Sequence, residues 1–301
     1  MIKTYSDIFE KVKKNNRRRT ISIALAEDKS VLEAVKVLAE NNMARVRLTG
    51  NPNQIRSYAE QVGYPIKESE IVAAFSEEEA ATRAVEQVRL GKAEILMKGH
   101  TSTPALIKAV LDKETGLRTG GILSHISVVE IPTYHKLLMI TDGGINIAPD
   151  LEKKKAIIQN AIIVAKKLEI ARPKIAVLSP IEKVNPKIPE TVDAIALQEM
   201  AERGEFGSVI LEGPIAADIA LSSRAAERKG LTSRIAGDTD IVLVPNITCG
   251  NAVIKFLMFL AKAKVGGVVI GARVPIVLLS RSDEPAEKFN STLLALLITT
   301  L

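Results

Sequence analysis

The sequence predicts an α/β protein with mostly parallel sheets and crossover helices. Short β-branched segments bounded by turn residues alternate with longer segments of helical period, which is the pattern of strands joined by helices. Several of the short segments are continuous apolar runs, as expected where helices cover both faces of a sheet. The predicted strands are 20–26, 44–48, 94–98, 136–141, 174–178, 208–211, 240–244, 268–271 and 275–279.

Polar residues mark where two of the helices begin. Ser30 with Glu33, and Ser76 with Glu79, match the capping box, in which each side chain satisfies a free amide of the first turn. Gly91 lies where the second of these helices is predicted to end, because helices commonly finish in a left-handed residue. Two further helices are predicted to begin at Thr103-Pro104 and Pro149-Asp150, and the longest predicted helix spans 151–169.

The length of 301 residues favours two domains, because single cores seldom grow beyond about 250–300 residues. Glycine and proline cluster near 141–150, after a predicted strand, and the chain can return to the first domain near 272–275. We therefore expect one domain of 1–141 with 275–301 and a second of 142–274. A cleft between two such units is a common place for a ligand site.

The net charge of +6 arises from one short run rather than from the whole chain. The segment 11–19, KVKKNNRRR, contains six cations and no acid, and outside it basic and acidic side chains are equal in number. The run lies between a predicted helix and a predicted strand, where basic residues complement the helix dipole. Binding of nucleic acid through 11–19 is a remote alternative, disfavoured because only 3% of residues are aromatic and few can stack on bases.

Composition also indicates a cytoplasmic protein. At 47% hydrophobic and 25% charged residues, the chain has the composition of a globular protein rather than a disordered one. Cys249 is the single cysteine and has no internal disulfide partner, and the charged first residues lack the apolar region of a signal peptide. Cations interrupt the most apolar stretch, 252–279, so it falls short of the roughly 18 apolar residues of a membrane span.

Common nucleotide and metal motifs are absent from the sequence. The segment GGVVIG at 266–271 lacks the spacing of a dinucleotide fingerprint, and no glycine begins a phosphate-binding loop of the GxxxxGK[ST] type. The three histidines and single cysteine show no zinc-ligand spacing. Asp238 and Asp240 could supply hard oxygen ligands to a metal ion, but no other feature of the sequence indicates one. We therefore predict no metal site.

The segment 275–288, PIVLLSRSDEPAEK, combines a strand end with a helix start. Free amides at a helix N-terminus favour an anion, and Arg281 beside Ser280 adds a planar fork that matches phosphate or carboxylate. Alternatively, Ser282 or Asp283 caps the helix and Arg281 forms a surface ion pair. Both interpretations remain open on the residues alone.

The segment 244–255, VPNITCGNAVIK, has a similar organisation. Asn251 and Lys255 lie four positions apart on the predicted helix, so they share one face and can point into one cleft. The alternative is a helix cap and an exposed lysine. Cys249 in this turn has no histidine or other base nearby in the sequence, so we interpret it as structural.

Five predicted strands end in residues that would meet at one sheet edge. Because open α/β sheets bind ligands at the carboxyl ends of their strands, this edge is the expected site. The residues are Lys98, Asp142, Gly213, Asn246 and Arg281.

Five segments, in family order, resemble the phosphate acetyl/butyryl transferase family, and most closely its butyryltransferase members. They are KGHTSTPALIKAVL, ITDGGINIAPDLEKKKAIIQNA, EGPIAADIALS, KGLTSRIAGDTDIVLVPNITCGN and VLLSRSDEPAEK. The resemblance implies a two-domain enzyme of isocitrate/isopropylmalate dehydrogenase-like architecture, usually a homodimer, with a cleft between its domains. It also implies that acyl-CoA, coenzyme A and phosphate are substrates and that no cofactor is bound permanently.

The resemblance also implies roles for particular residues. The family's Ser-Arg signature falls on Ser280 and Arg281, and its catalytic acid falls on Glu287, with Asp283 as the competing candidate. An arginine that contacts phosphate in acetyl enzymes is matched only by Lys108, which keeps the charge but loses bidentate recognition. Residues expected to bind coenzyme A or phosphate are Lys98, Lys108, Asn246, Gly250, Asn251 and Lys255.

The implied reaction is butanoyl-CoA + phosphate = butanoyl phosphate + CoA, by direct transfer in a ternary complex. Ser282 replaces the glycine that follows Ser-Arg in acetyl enzymes, and this departure, like Lys108, favours a butyryl-type member. Phosphate acetyltransferase activity is the main alternative, because one methylene in an apolar pocket discriminates by only about 10 to 200-fold.

Overall fold

A computed structural model describes residues 1–15, 17–278 and 284–299. In chain order the described strands are β1 (Arg19–Ala24), β2 (Ala44–Gly50), β3 (Ile71–Ala73), β4 (Ile95–Lys98), β5 (Ser124–Glu130), β6 (Leu138–Thr141), β7 (Lys174–Leu178), β8 (Ile210–Ile215), β9 (Ile241–Leu243), β10 (Lys264–Ile270) and β11 (Ile276–Val277).

The α-helices alternate with these strands. In chain order they are α1 (Tyr5–Lys14), α2 (Lys29–Glu40), α3 (Pro52–Val62), α4 (Glu77–Arg89), α5 (Thr103–Val110), α6 (Leu151–Lys167), α7 (Pro189–Glu202), α8 (Ala217–Leu221), α9 (Ser223–Arg228), α10 (Ile247–Ala261) and α11 (Pro285–Thr299), with a 3₁₀ turn at Glu68–Glu70. Across the described ranges, no helix is both long and apolar enough to cross a membrane.

The chain forms two compact units, each assembled around its own strands. The central unit contains Met1–Thr4 and Ile122–Lys264, and the terminal unit contains Tyr5–Gly121 and the described residues from Val265 onward. The domains predicted from the sequence, 1–141 with 275–301 and 142–274, assign β5, β6 and β10 differently, and that division stays a prediction.

In the terminal unit the strand order is β3-β2-β1-β4-β11-β10, with only the β10–β11 pair antiparallel among the pairings described there. Apolar strand residues such as Ile21, Ile23 and Leu48 are fully buried. Helix α4 lies against the same strands, because the Ser22 hydroxyl donates a 2.9 Å hydrogen bond to the carbonyl of Ala84.

In the central unit the order is β5-β6-β9-β7-β8, with β5 antiparallel to β6 and the other described pairs parallel. Helix α6 begins at its cap Asp150, whose carboxylate accepts a 2.9 Å bond from the Lys153 amide. Its buried face includes Ile157, Ile158 and Ala161.

The predicted α/β class with mostly parallel pairing is therefore confirmed. The structure adds β3 and β5, which the sequence did not reveal, because β3 has only three residues and β5 begins with the polar pair Ser124-His125. The apolar run in β3 is therefore short, and the one in β5 is interrupted by polar residues.

The two predicted capping boxes have different outcomes. Helix α4 does begin at Ser76, whose hydroxyl accepts a 3.1 Å bond from the Glu79 amide, and Gly91 follows its end in the left-handed region. The box at Ser30 is wrong, because Asp28 caps α2 by accepting a 2.9 Å bond from the Val31 amide. Ser30 lies inside the first turn instead.

Candidate active site

The turn after β4 is packed against the end of β1 in the terminal unit. The amide of Gly99 donates to the carbonyl of Ala24 at 2.9 Å, and that of His100 to Leu25 at 2.7 Å. A Cβ on Gly99 would lie 2.3 Å from the Leu25 carbonyl oxygen, so only glycine permits this approach. The sequence predicted this strand edge as part of a ligand site.

Lys98 and Lys108, both predicted to attract phosphate or coenzyme A, lie in different surroundings. Lys98 is buried at the end of β4, and its ammonium donates a 2.9 Å bond to the carbonyl of Thr101. Lys108 is exposed in the last turn of α5, in a groove of about 460 Å³ that Glu78 and Asp112 also line. With Glu77, three acids line the same groove as Lys108 and reduce its attraction for an anion.

The first turn of α11 carries Glu287, one of the two carboxylates predicted as candidates for the general base. Its Oε2 accepts a 3.0 Å bond from the backbone amide of Glu284, so the carboxylate is held at the helix N-terminus. This is the reciprocal half of a capping box, which either glutamate or glutamine can supply.

A buried lysine connects this turn to the start of α2. Lys288 is 5% exposed, and its ammonium donates a 2.6 Å bond to the Ser30 hydroxyl, which in turn donates to Asp28 Oδ1 at 2.5 Å. Burial alone would raise the pKa of Asp28, but bonds from Ser30 and the Val31 amide, with the charges of Lys288 and His100, lower it overall. This set of polar contacts was missed from the sequence, where Lys288 and Ser30 are 258 residues apart.

In the central unit, Asp142 organises the loop that follows β6. Its buried carboxylate accepts bonds from the amides of Gly144 and Ile145 at 2.8 and 2.9 Å, and from the side-chain amide of Asn146 at 2.7 Å. Hydrogen bonds within the loop therefore engage both oxygens of this carboxylate and fix the shape of the turn. Asp142 therefore supports the loop rather than offering a free base.

This loop meets the N-terminus of α10 at a pair of glycines. A Cβ on Gly250 would lie 2.8 Å from the Cα of Gly143 and 3.0 Å from the carbonyl oxygen of Asp142. Asn246 caps the helix by accepting a 3.0 Å bond from the Cys249 amide. The predicted residues Asn246 and Gly250 are thus brought together here, and both serve to position the helix start.

Asn251 and Lys255 lie one turn apart on α10, as the sequence predicted. Asn251 is exposed and Lys255 is half-buried. Because positions i and i+4 of a helix are neighbours on one face, both side chains lie on the same side of α10.

A small cavity of about 380 Å³ lies at the end of β8 in the central unit. Glu212 in its lining accepts a 2.6 Å bond from the Ser233 hydroxyl and a 2.9 Å bond from the Arg234 amide. Gly213 lies inside β8, which continues to Ile215, so the prediction that it follows a strand ending at 211 is wrong. A Cβ on Gly213 would lie 2.7 Å from that of Val177. Glu212 was missed because its partners come from a distant loop.

Comparison with known proteins identifies the relatives of this fold and these turns. The sequence profile of the phosphate acetyl/butaryl transferase family matches residues 73–296. The chain belongs to this family. It is 41% identical to a phosphate butyryltransferase of Clostridium acetobutylicum, over 99% of both chains, and 39% identical to a phosphate acetyltransferase of Thermotoga maritima, over 92% of this chain and 94% of the relative.

Among solved structures, the chain is similar to a branched-chain phosphotransacylase from Enterococcus faecalis V583. The TM-score is 0.82 at 34% identity, covering 94% of this chain and 100% of that chain. The strand edges described above thus lie in a fold that this chain shares with a branched-chain phosphotransacylase.

Four of the residues that the family resemblance singled out lie outside the described residues: Ser280, Arg281, Ser282 and Asp283. The described chain reaches Leu278 after β11 and resumes at Glu284, one residue before α11. Since β11 runs parallel to β4, the described residues before this segment are at the same sheet edge as Lys98 and Gly99.

Cys249 has the character of a structural residue in this member of the family. The side chain is partly buried, and burial raises the pKa of its thiol. The thiol therefore stays protonated near neutral pH, and a protonated thiol is a poor nucleophile. This agrees with the interpretation of Cys249 from the sequence.

Proposed function

We propose that this chain transfers a short-chain acyl group between coenzyme A and inorganic phosphate: butanoyl-CoA + phosphate = butanoyl phosphate + CoA. Similarity along the whole chain to the butyryltransferase of Clostridium acetobutylicum is the observation that carries the proposal. No permanently bound cofactor or metal is part of it, and coenzyme A and its acyl thioester are substrates.

The reaction requires charge stabilisation and proton transfer, and a few side chains at the sheet edges are proposed to provide them. When phosphate attacks the thioester carbonyl, negative charge develops on the carbonyl oxygen, and Arg281 with Ser280 would stabilise it. In the reverse direction the coenzyme thiol must lose its proton before it attacks the acyl phosphate. Glu287 or Asp283 would accept that proton, and the first turn of α11 holds the Glu287 carboxylate in place.

The substrates are large anions, and further residues are proposed to bind them. Lys98, Lys108 and Lys255 would contribute positive charge, while Asn246, Gly250 and Asn251 form the start of α10, where free amides favour an anion. The high pKa of the Cys249 thiol supports direct transfer in a ternary complex, because it disfavours an acyl-enzyme on that residue.

The proposal extends to architecture and assembly. We infer an isocitrate/isopropylmalate dehydrogenase-like arrangement of two domains, with the substrates in the cleft between them, in a cytoplasmic homodimer. A second copy of the chain would cover the apolar outer face of α10, where Phe256, Phe259 and Leu260 are 63%, 72% and 78% exposed. Apolar patches of this kind mark interaction surfaces.

Acetyl transfer is the second candidate, favoured by the similarity to the Thermotoga maritima enzyme. Acetyl-, butanoyl- and branched acyl-CoA at equal concentrations, each with phosphate, separate the candidates when thiol release is followed. The expected result is the largest kcat/KM for butanoyl- or branched acyl-CoA. The largest value for acetyl-CoA would reassign the enzyme, and no phosphate-dependent thiol release from any of them would refute acyl transfer.

A further inference from the structure

An open basic groove lies at the amino-terminal edge of the strands in the terminal unit. It encloses about 680 Å³ where β1, β2 and β4 begin, a size within the range of about 300–1,000 Å³ typical of small-molecule sites. The proposed catalytic residues of the terminal unit follow the opposite, carboxyl ends of its strands. The cations that line this basic groove are Arg18, Arg45, Arg47, Lys67 and Lys92.

The fold brings these cations together from four separate segments. Arg45 and Arg47 stand two positions apart on β2, so they share one face of the sheet. Thr20 of β1 lies in register beside Arg45, and Arg18 lies just before the start of β1. Arg47 also donates a hydrogen bond to the carbonyl of Ser69, which fixes its guanidinium against the turn that contains Lys67.

The two acids of the groove lining already have partners. Glu70 accepts 3.0 Å bonds from the Tyr64 hydroxyl and the Lys67 amide. Glu94 accepts a 3.2 Å bond from Arg19 and a 2.8 Å bond from the Thr20 amide. Neither acid forms an ion pair with a cation of the groove lining in the part of the chain that the structure describes.

The lining of the groove consequently keeps an excess of positive charge, because it contains five cations and two acids. Among the described residues, Arg18, Arg45, Lys67 and Lys92 form no ion pair with an acidic side chain. The C-termini of α2 and α4 lie beside the groove, but each supplies only about half a negative charge. An excess of cations around a cavity concentrates anions there.

We propose that the basic groove binds a small anion carrying two or more phosphate groups. Guanidinium forks match phosphate oxygens, and cations spread along the cavity suit a chain of phosphates better than a single one. Tyr64 is the only aromatic residue among the described lining, and it is buried with its hydroxyl engaged. The groove therefore recognises charge and has no platform on which a base would stack.

Calorimetric titration with inorganic tripolyphosphate tests this site. Arg45→Gln with Lys92→Gln removes two unpaired cations from the groove, and Arg172→Gln with Lys183→Gln removes two exposed cations of the central unit as the matched control. We expect the groove pair to weaken binding by at least about tenfold, which is 1.4 kcal/mol. The control pair should keep the wild-type affinity, and both should retain acyl transfer and the wild-type melting temperature.

Several results would overturn the assignment. If the wild-type protein binds no tripolyphosphate at millimolar concentration, the proposed site is refuted. An affinity that the groove pair leaves unchanged would place the anion elsewhere, and equal weakening by both pairs would indicate diffuse surface attraction. Tighter binding of a single-stranded oligonucleotide than of tripolyphosphate would point to nucleic acid instead of a small anion.

Discussion

The two edges of the strands handle charge in different ways. At the carboxyl edge of β6, the Asp142 carboxylate is satisfied by the turn that carries it, through the amides of Gly144 and Ile145. At the amino edge of the central unit, Lys136 instead pairs across strands with Asp238 and Asp240, each at 2.6 Å. Local partners shape turns that can hold a substrate, whereas partners from several strands lock the strands together. Substitution of a proposed catalytic residue at the carboxyl edge should therefore change turnover, and substitution within the Lys136 cluster at the amino edge of the central unit should change stability.

Glu287→Gln at the carboxyl edge should have the largest effect. Glutamine can keep the cap bond to the Glu284 amide but cannot accept the thiol proton, so kcat should fall by about 10²–10⁴-fold with little change in melting temperature. Steady-state kinetics with butanoyl-CoA and phosphate measure this. Glu284→Gln, an exposed acid beside the same turn, is the control and should keep its turnover. Normal turnover of Glu287→Gln would transfer the role of base to Asp283.

Lys136→Met at the amino edge of the central unit should lower stability rather than catalysis. Lys136 and Asp240 have side chains 5% and 3% exposed, and removing one member of a buried pair typically costs about 3–5 kcal/mol. Chemical denaturation measures the loss, which should be near 3 kcal/mol because Asp238 remains partly hydrated. Lys264→Met breaks a pair with Glu130 in which the lysine is 61% exposed, and it should cost no more than about 1 kcal/mol.

The same cluster predicts how stability changes in acid. Burial would raise the pKa of Asp238, but bonds from Lys136, Lys174 and His135 lower it overall. A carboxyl with a lowered folded pKa stabilises the protein above its unfolded pKa of about 3.9, and that contribution is lost as pH falls. The melting temperature should therefore drop more steeply below about pH 4 in the wild type than in Lys136→Met. Equal slopes would show that the cluster does not supply the acid sensitivity.

Local sequence signals were enough for most strands and for several helix starts. The apolar run at 174–178 is β7 residue for residue, and Asp150 and Ser76 begin helices as their side-chain chemistry predicts. Each of these features is signalled by residues that lie within a few positions of one another, although β7 itself is completed by pairing with β8 and β9. The wrong cap at Ser30 has the same origin, since Asp28 and Ser30 both suit an N-cap and the choice depends on where the chain leaves β1.

Features built from distant segments could not be predicted. Lys288 is buried because Ser30 lies beside it in the fold, and no spacing in the sequence signals that contact. The run at 11–19 was interpreted as a solvated helix end, which fits Lys11, Lys13 and Lys14 in the last turn of α1. Only the fold shows that Arg18 lines a groove with Arg45 and Lys67.

Cys249→Ala should have the smallest effect. The variant tests whether Cys249, at the carboxyl edge, only packs in its turn or reacts with the acyl group. Because burial raises its pKa, the thiol is not ionised at neutral pH, and a buried cysteine packs as a small apolar side chain. Turnover should stay within about twofold of the wild type, the change expected from packing alone. The helix start should persist, since Asn246 caps it through the backbone amide of residue 249, which alanine retains.

Acid quench during turnover followed by mass spectrometry should find no acyl group on the wild-type Cys249 peptide. A trapped acyl group there, together with an inactive alanine variant, would replace direct transfer by an acyl-enzyme route and would make this turn a catalytic one.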